Sequence, residues 1–343
     1  VIEQLRGGIR TLLSQPNITL IEGSAEFVDA NTIKVGDELF TADNIIIATG
    51  SHTKLPPFAV EGMQSAKTKV VTSTELLDIE SVPPTLAIVG AGVIGMEFAS
   101  AFNTFGSKVD VYEFLPECLP AIDKDIARRL RKSLEKRGVK FHMKYSVGNV
   151  DDLGADVVLI ATGRAANTDG LALEKAGISY DRKGITVDDN MLTNVAGVYA
   201  VGDVNGRSML AHAAEWQGRR AVNHIIGEHD DIRFDIMPSA IFTYPEAACV
   251  GPAESELKEK GVEYAVHKSF YRANGKALAI GETEGMMKII TDTSDRVISC
   301  HGYGAHAADL IQEVSALMNK EITLRQLHDI IHIHPTLSEI LVQ

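Results

Sequence analysis

The sequence predicts an α/β fold: two nucleotide-binding units built on parallel strands, followed by a C-terminal α+β domain. Three observations carry this reading. Asp43–Ser51 (DNIIIATGS) and Asp156–Arg164 (DVVLIATGR) repeat one pattern, an apolar β-branched run stopped by Thr-Gly, as expected of a parallel strand buried on both faces. GAGVIG, Gly90 to Gly95, lies between a strand-like run and a helical one. Beyond Pro238, strand-like runs precede helical ones, the order of an α+β domain.

Each element follows from local pattern. VIEQLRGGIRTLL has apolar residues at helical spacing with no N-cap before them, so a helix that starts ahead of Val1 is expected. Thr85–Val89 reads as a strand, Val93–Phe105 as a helix and Lys108–Glu113 as the next strand. A helix rich in Lys and Arg, Asp123–Arg137, and a strand at Val139–Tyr145 complete the βαβ pattern. Gly197–Val204 (GVYAVGDV) is a third apolar run, expected to return the chain to one of the two units. Ala211–Gly218 reads as a helix starting at the same edge. Later come strands at Ala240–Thr243, Met287–Thr291 and Arg296–His301, then helices at Ala307–Met318 and Leu324–Ile331. A boundary is placed at the charged stretch Asp230–Met237.

Composition limits the function. A length of 343 residues predicts two or three domains. Hydrophobic content of 45% with only 6% aromatic residues suits an α/β core of Val, Ile, Leu and Ala. A net charge of -13 argues against nucleic acid as a partner. No apolar run has the length of a membrane span and no signal-peptide pattern is present, so a cytoplasmic protein is expected. Cys118, Cys249 and Cys300 are odd in number and far apart, which predicts reduced thiols serving as small core residues.

Three groups of residues carry chemistry. In GAGVIG, Gly90 permits a tight turn, Gly92 lets the backbone approach a pyrophosphate and Gly95 lets helix pack on strand. The phosphates meet the positive end of the helix that begins at Val93 and Ile94. Glu113 closes the next strand, where a carboxylate can bond a ribose 2′-hydroxyl. Phe114, Leu115 and Pro116 follow it, with no Arg for a 2′-phosphate, which favours NAD over NADP. Near the C-terminus, HIHPTLSE places His334 to act as a general base and Glu339 to hold its other ring nitrogen. Its His-Pro bond is of the kind that can be cis. The same residues can form a plain helix start, with Thr336 as N-cap and Glu339 as its box partner. His328 and His332 at i, i+4 also raise a metal site, disfavoured because no carboxylate or thiolate ligand is evident nearby. In the third group, Asp203 ends a strand beside MLAHAAEWQGR, where it can bond a ribityl or ribose hydroxyl while helix-start amides face an electron-rich flavin edge.

GAGVIGMEFA, Glu113, both ATG strands, GVYAVGDV, MLAHAAEWQG and HIHPTLSE occur in the order seen in pyridine nucleotide-disulfide oxidoreductases, and the resemblance covers essentially the whole chain. Within that family, HIHPTLSE, ANGKALAIGETEG and HAADLIQE are most similar to the members that oxidise dihydrolipoamide. The resemblance implies FAD and NAD as cofactors and a homodimer formed through the C-terminal domain. It places Thr49, Gly50, Ser51, Asp203, Met209, Leu210, Ala211 and His212 at FAD. It places Gly90, Gly92, Val93, Ile94, Gly95, Glu113, Val147 and Gly163 at NAD. Glu97 is implied to pair with a lysine beside the flavin. His334, oriented by Glu339, is implied to be the acid–base of the other subunit's active site. The implied substrate is dihydrolipoamide on a lipoyl domain of a 2-oxo acid dehydrogenase complex.

The division implied is 1–82 as the remainder of an FAD-binding domain, 83–164 as a Rossmann-like NAD-binding domain, 165–235 as a return to the FAD domain and 236–343 as a dimerisation domain. Two departures from the family stand out. A first G-x-G-x-x-G and a C-x-x-x-x-C disulfide are absent from these residues, so this sequence alone is not expected to turn over. The stretch from Tyr145 to Ala155 is shorter than the family's antiparallel excursion and is read as joining no recognisable turn, so missing residues are expected. A non-catalytic module that binds NAD and dimerises, or a reductase of another disulfide, are the competing functions.

Overall fold

In the computed structural model, which describes residues 1–343, the third apolar run returns to the first. Strand Val198–Ala200 pairs in parallel with Ile45–Ile47, Val198 opposite Ile45 and Ala200 opposite Ile47. Both strands belong to a unit made of Val1–Ser51 and Ala166–Asp230. Its core is Phe27, Ile47, Leu173, Ile185, Val198, Ala200 and Val204. An antiparallel meander of Ala25–Phe27, Thr32–Val35 and Glu38–Thr41 completes it, together with helices Ile2–Leu13 and Ala211–Ile226. The meander is illegible by periodicity because its strands are three or four residues long and mostly only half-buried.

The other unit comprises His52–Ala165 and Asp231–Gln343 and holds two five-stranded sheets. One is wholly parallel, in the order Lys69–Val71, Val157–Ile160, Thr85–Val89, Lys108–Glu113, Lys140–Met143. Val157–Ile160 is buried along its whole length, which is why it reads as an unbroken apolar run rather than an alternating one. Helices Val93–Thr104 and Lys124–Lys136 cover one face, with Met96, Ala99, Ile126, Leu130 and Leu134 fully buried there. The second sheet is antiparallel, in the order Ser239–Ile241, Glu246–Val250, Val297–Gly304, Met286–Thr291, Ala265–Phe270. Helix Ala307–Met318 packs on it through Leu310, Ile311 and Val314. No helix is long and apolar enough to cross a membrane.

The structure corrects several expectations. The third run stops being a strand at Ala200, and Gly202–Asn205 forms a 3-10 turn instead. The last α-helix ends at His328, not Ile331. The stretch after Tyr145 makes an ordinary connection: Asn149 caps a 3-10 helix, Val150–Leu153, by accepting the Asp151 N–H at 3.0 Å. Gly154 ends that helix in the left-handed region, and Val150 is buried against the parallel sheet. The polar run from Ser146 to Asp152 hid this piece because its one deeply buried side chain gives no periodicity.

A buried ionic group joins the antiparallel sheet to the helix Lys124–Lys136 that covers the parallel one. Lys288, on the antiparallel sheet, bonds Asp123 Oδ2 at 2.8 Å and also reaches Glu254. Asp123 is in turn the N-cap of Lys124–Lys136, accepting the Asp125 N–H at 3.0 Å. Burial opposes the Asp123 charge, but the hydrogen bond and attraction from Lys288 outweigh it and hold the carboxyl below its ordinary range. His301 is fully buried beside it: Nδ1 accepts the Asp123 N–H at 3.2 Å and Nε2 faces the Pro252 carbonyl at 3.3 Å. Burial pushes the His301 pKa down, against the pull of Asp123.

The folded protein therefore binds fewer protons at His301 than the unfolded chain once pH drops below the unfolded value of about 6.5. The stability this group contributes is complete above that pH and is lost as pH falls toward the depressed folded value. Urea denaturation at stepped pH is expected to show the midpoint falling below about pH 6.5, and His301→Gln is expected to flatten that slope. An unchanged slope in the variant would contradict the assignment.

Candidate nucleotide sites and acid–base pair

The glycine turn divides its work as the spacing predicts. Gly90 has φ +106, and a Cβ there would collide with the Ala161 carbonyl at the end of the neighbouring strand. A Cβ on Gly95 would run into the Gly90 carbonyl oxygen, so helix and strand could not close together. The side of Gly92 that a Cβ would occupy is open. Gly92 is the N-cap of Val93–Thr104, with no capping side chain and no acidic residue in the first turn. The first amides of this helix are thus left for an anion.

Glu113 is fixed beside them. Its Oε2 accepts the Ala91 N–H at 2.6 Å and its Oε1 the Leu115 N–H at 2.7 Å. Each oxygen keeps a lone pair for a ribose hydroxyl. Phe114 is exposed next to it. These residues fit the dinucleotide that the motif implies. Val147 packs half-buried against the core that includes Tyr112 and Val150. Gly163 has φ +107 and accepts the Lys54 N–H at 2.9 Å. Neither is bonded to the Gly90–Glu113 group.

Glu97 faces the C-terminal segment: its Oε1 accepts the Phe242 N–H at 2.9 Å. Burial raises its pKa, and the Phe242 bond offsets this only in part. No lysine of these residues is bonded to it. Three residues on, Ser100 Oγ accepts the Tyr244 N–H at 2.8 Å.

In the first unit, the Thr-Gly-Ser turn is laced to residues far along the chain. Thr49 Oγ1 donates to the Asn167 carbonyl and Asn167 Nδ2 to the Thr49 carbonyl, both at 2.8 Å. The Asn167 N–H bonds Gly50 O at 2.9 Å, and Ser51 Oγ donates to Asp203 Oδ2 at 2.5 Å. Buried Gln217 holds the Asp203 turn from the helix side. Its Oε1 accepts the Gly202 N–H at 2.7 Å and Asn205 Nδ2 at 2.8 Å. Helix Ala211–Ile226 starts at Leu210 with no capping side chain and no acidic first-turn residue, and Met209, Ala211 and His212 are exposed there. This arrangement fits an electron-rich flavin. Sequence reasoning missed Asn167, Asn205 and Gln217. The one available signal was a glutamine at the buried helical spacing of MLAHAAEWQGR.

At the C-terminus, His334 Nδ1 lies 2.9 Å from Glu339 Oε1. The other oxygen, Oε2, accepts the Thr336 N–H at 2.8 Å. Glu339 therefore holds His334 and makes the backbone half of the expected capping box together. The other half does not form: the Thr336 hydroxyl donates to the Ile333 carbonyl, and a 3-10 helix begins later, at Ser338. The Thr336 N–H bond, then His334, hold the Glu339 carboxyl below its usual range. The His334–Pro335 bond is cis. The His334 side chain is 78% exposed, so its free edge can meet a reactant. His332 Nε2 contacts Glu313 at 3.1 Å, and no cluster of three or more His, Cys, Asp or Glu is arranged to hold a metal. The three cysteines are free thiols, and burial pushes Cys249 up to about 12 and Cys118 and Cys300 higher still. Such thiols are inert at neutral pH.

This pairing of nucleotide-binding sheets with a C-terminal α+β domain is that of a flavoprotein disulfide oxidoreductase. Residues 1–218 match the family described as pyridine nucleotide-disulphide oxidoreductase, and residues 237–343 match its dimerisation domain. The chain belongs to this family, whose enzymes use FAD and NAD, and its dimerisation domain supports a homodimer. It is 36% identical to a dihydrolipoyl dehydrogenase of Chlamydia muridarum, covering 99% of this chain and 77% of that protein. It is 37% identical to mitochondrial dihydrolipoyl dehydrogenase 1 of Arabidopsis thaliana, over 99% of this chain and 71% of that one. Among solved structures, the HOCl-induced flavoprotein disulfide reductase RclA of Escherichia coli superposes with a TM-score of 0.90 at 30% identity, covering 99% of this chain and 82% of that one.

Gly95→Val is expected to separate helix Val93–Thr104 from its strand and abolish NAD binding, read by titration calorimetry. Undiminished affinity would contradict the packing role given to Gly95.

Proposed function

We propose that this chain is the NAD-binding, partial FAD-binding and dimerising portion of a dihydrolipoyl dehydrogenase, which oxidises dihydrolipoamide with NAD⁺. The observation that carries the proposal is the pair His334–Glu339, bonded at 2.9 Å and standing exposed in the dimerisation domain. The relatives named dihydrolipoyl dehydrogenase support the choice of substrate. In this reading residues 1–82 and 165–235 hold FAD, 83–164 hold NAD and 236–343 form the dimer.

His334 takes a proton from a substrate thiol at its free ring nitrogen, because Glu339 fixes Nδ1 and leaves Nε2 outward. The thiolate so formed is the nucleophile for a disulfide. Glu339 carries the charge that stabilises the imidazolium. FAD and NAD⁺, when bound, carry the electron pair away, so that dithiol and NAD⁺ become disulfide, NADH and a proton. Gly92, Val93 and Ile94 would meet the pyrophosphate, Glu113 the ribose, and Asp203 with the Thr49–Ser51 turn the flavin nucleotide. Around the base, Ile331 and Ile333 are 96% and 79% exposed. Apolar side chains this open suit a face covered by a second copy, which supports a base that serves the partner subunit's active site. The lipoyl domain of a 2-oxo acid dehydrogenase complex is the proposed carrier of the substrate.

The test is NADH formation by the enzyme containing its redox disulfide. Dihydrolipoamide is expected to reduce NAD⁺, and His334→Gln is expected to lower the rate by roughly 10²–10⁴-fold, the range for a positioned acid–base, with flavin content unchanged. Near-normal turnover in the variant would remove the role given to His334. Activity confined to another disulfide would favour a different reductase of this family.

A further inference from the structure

The loop that carries His334 has little regular backbone bonding to hold it. It runs from the end of helix Leu324–His328 to the 3-10 helix at Ser338. A second carboxylate reaches it from outside. Glu313 stands on helix Ala307–Met318, whose Leu310, Ile311, Val314 and Met318 are buried in the core. Its Oε1 lies 3.1 Å from His332 Nε2, and its Oε2 accepts the Ser338 hydroxyl at 2.7 Å. His332 precedes His334 by two residues, and Ser338 precedes Glu339 by one. One carboxylate thus closes the chain on both sides of the segment from Ile333 to Leu337.

The two histidines are treated differently. The His332 side chain is 6% exposed, its Nδ1 facing the Ile330 carbonyl at 2.9 Å. The His334 side chain is 78% exposed and gains little orientation from packing. Its placement therefore depends on the backbone beneath it and on the single bond to Glu339. Fully buried Asn274 adds one more tie, donating to the Thr336 carbonyl at 3.1 Å.

We infer that Glu313 is a positioning residue for the acid–base pair: by clasping His332 and Ser338 it fixes the loop on which His334 and Glu339 meet. The kinetic part of this inference rests on His334 being the base, while the structural part does not. Glu313→Gln leaves one oxygen in place of two, so that His332 and Ser338 can no longer each donate to a separate carboxylate oxygen, and Ser338→Ala removes the other arm with little change in volume.

Histidine-labelled protein should show by NMR a His334 ring with its Nδ1 proton bonded to Glu339, and this signal is expected to broaden or shift in both variants. In the complete enzyme, kcat for dithiol oxidation is expected to fall tenfold to a hundredfold in Glu313→Gln, the cost of displacing a catalytic group by up to about 1 Å. KM for NAD⁺ and the thermal midpoint should stay near wild type, and Ser338→Ala should show a smaller loss of the same kind. Unaltered His334 ring signals in both variants would overturn the clasp, as would a fall in kcat that leaves those signals unchanged. Normal turnover in His334→Gln would instead remove the acid–base reading, and the ring signals would still decide the clasp.

Discussion

The first amides of a helix must find an acceptor, and this constraint separates two helices from all the others. Thr72, Asp123, Asn274 and Thr323 cap their helices with side-chain oxygens. The helices starting at Ile2, Glu254 and Ala307 have no such cap, but each has an acidic residue in its first turn. Pro57 opens another helix and removes one donor outright. Only the helices starting at Val93 and Ala211 have neither a cap, an acid nor a proline. Val93 begins just after the buried strand Thr85–Val89, and Ala211 follows the buried strand Val198–Ala200 by way of the Gly202–Asn205 turn; strand ends of this kind are where open α/β sheets receive their ligands. Two helix starts without a capping side chain at two such edges suit two nucleotide cofactors.

The rest of each site serves to keep those edges in shape. Around Val93, the close packing at Gly90 and Gly95 sets the turn, and Glu113 is tied down by two backbone amides before any ribose arrives. Around Ala211, Gln217 holds the Asp203 turn from within the helix. Preorganised acceptors lose little on binding, which is how a few polar groups give orientation and specificity. The His334 ring proposed as the base follows the same rule, since Glu339 divides its two oxygens between His334 and the backbone of Thr336.

Legibility in the sequence followed burial and periodicity. Thr85–Val89, Lys108–Glu113 and Ala307–Met318 appear with the boundaries their patterns predict, because long buried runs and amphipathic helices leave little choice. The turn at GAGVIG was readable because the close packing at Gly90 and Gly95 demands glycine at fixed spacing. The strands Glu246–Val250 and Ala265–Phe270, and the connection after Tyr145, were not, since short or half-buried pieces take their conformation from neighbours distant in sequence. Asn167, Gln217 and Glu313 escaped for the same reason: each acts on residues that only the fold brings near. The capping box at Thr336 shows the opposite failure, a correct local pattern whose carboxylate is shared with a histidine.

Glu113 and the uncapped start of Val93–Thr104 are together proposed to hold NAD, and the nucleotide chemistry depends on them. Calorimetric titration of the protein with NAD⁺ and with NADP⁺ tests it directly. NAD⁺ is expected to bind at least about tenfold more tightly, because a 2′-phosphate would meet the Glu113 carboxylate with no arginine beside it, an unfavourable like-charge contact. Equal affinity for the two, or tighter binding of NADP⁺, would contradict the account.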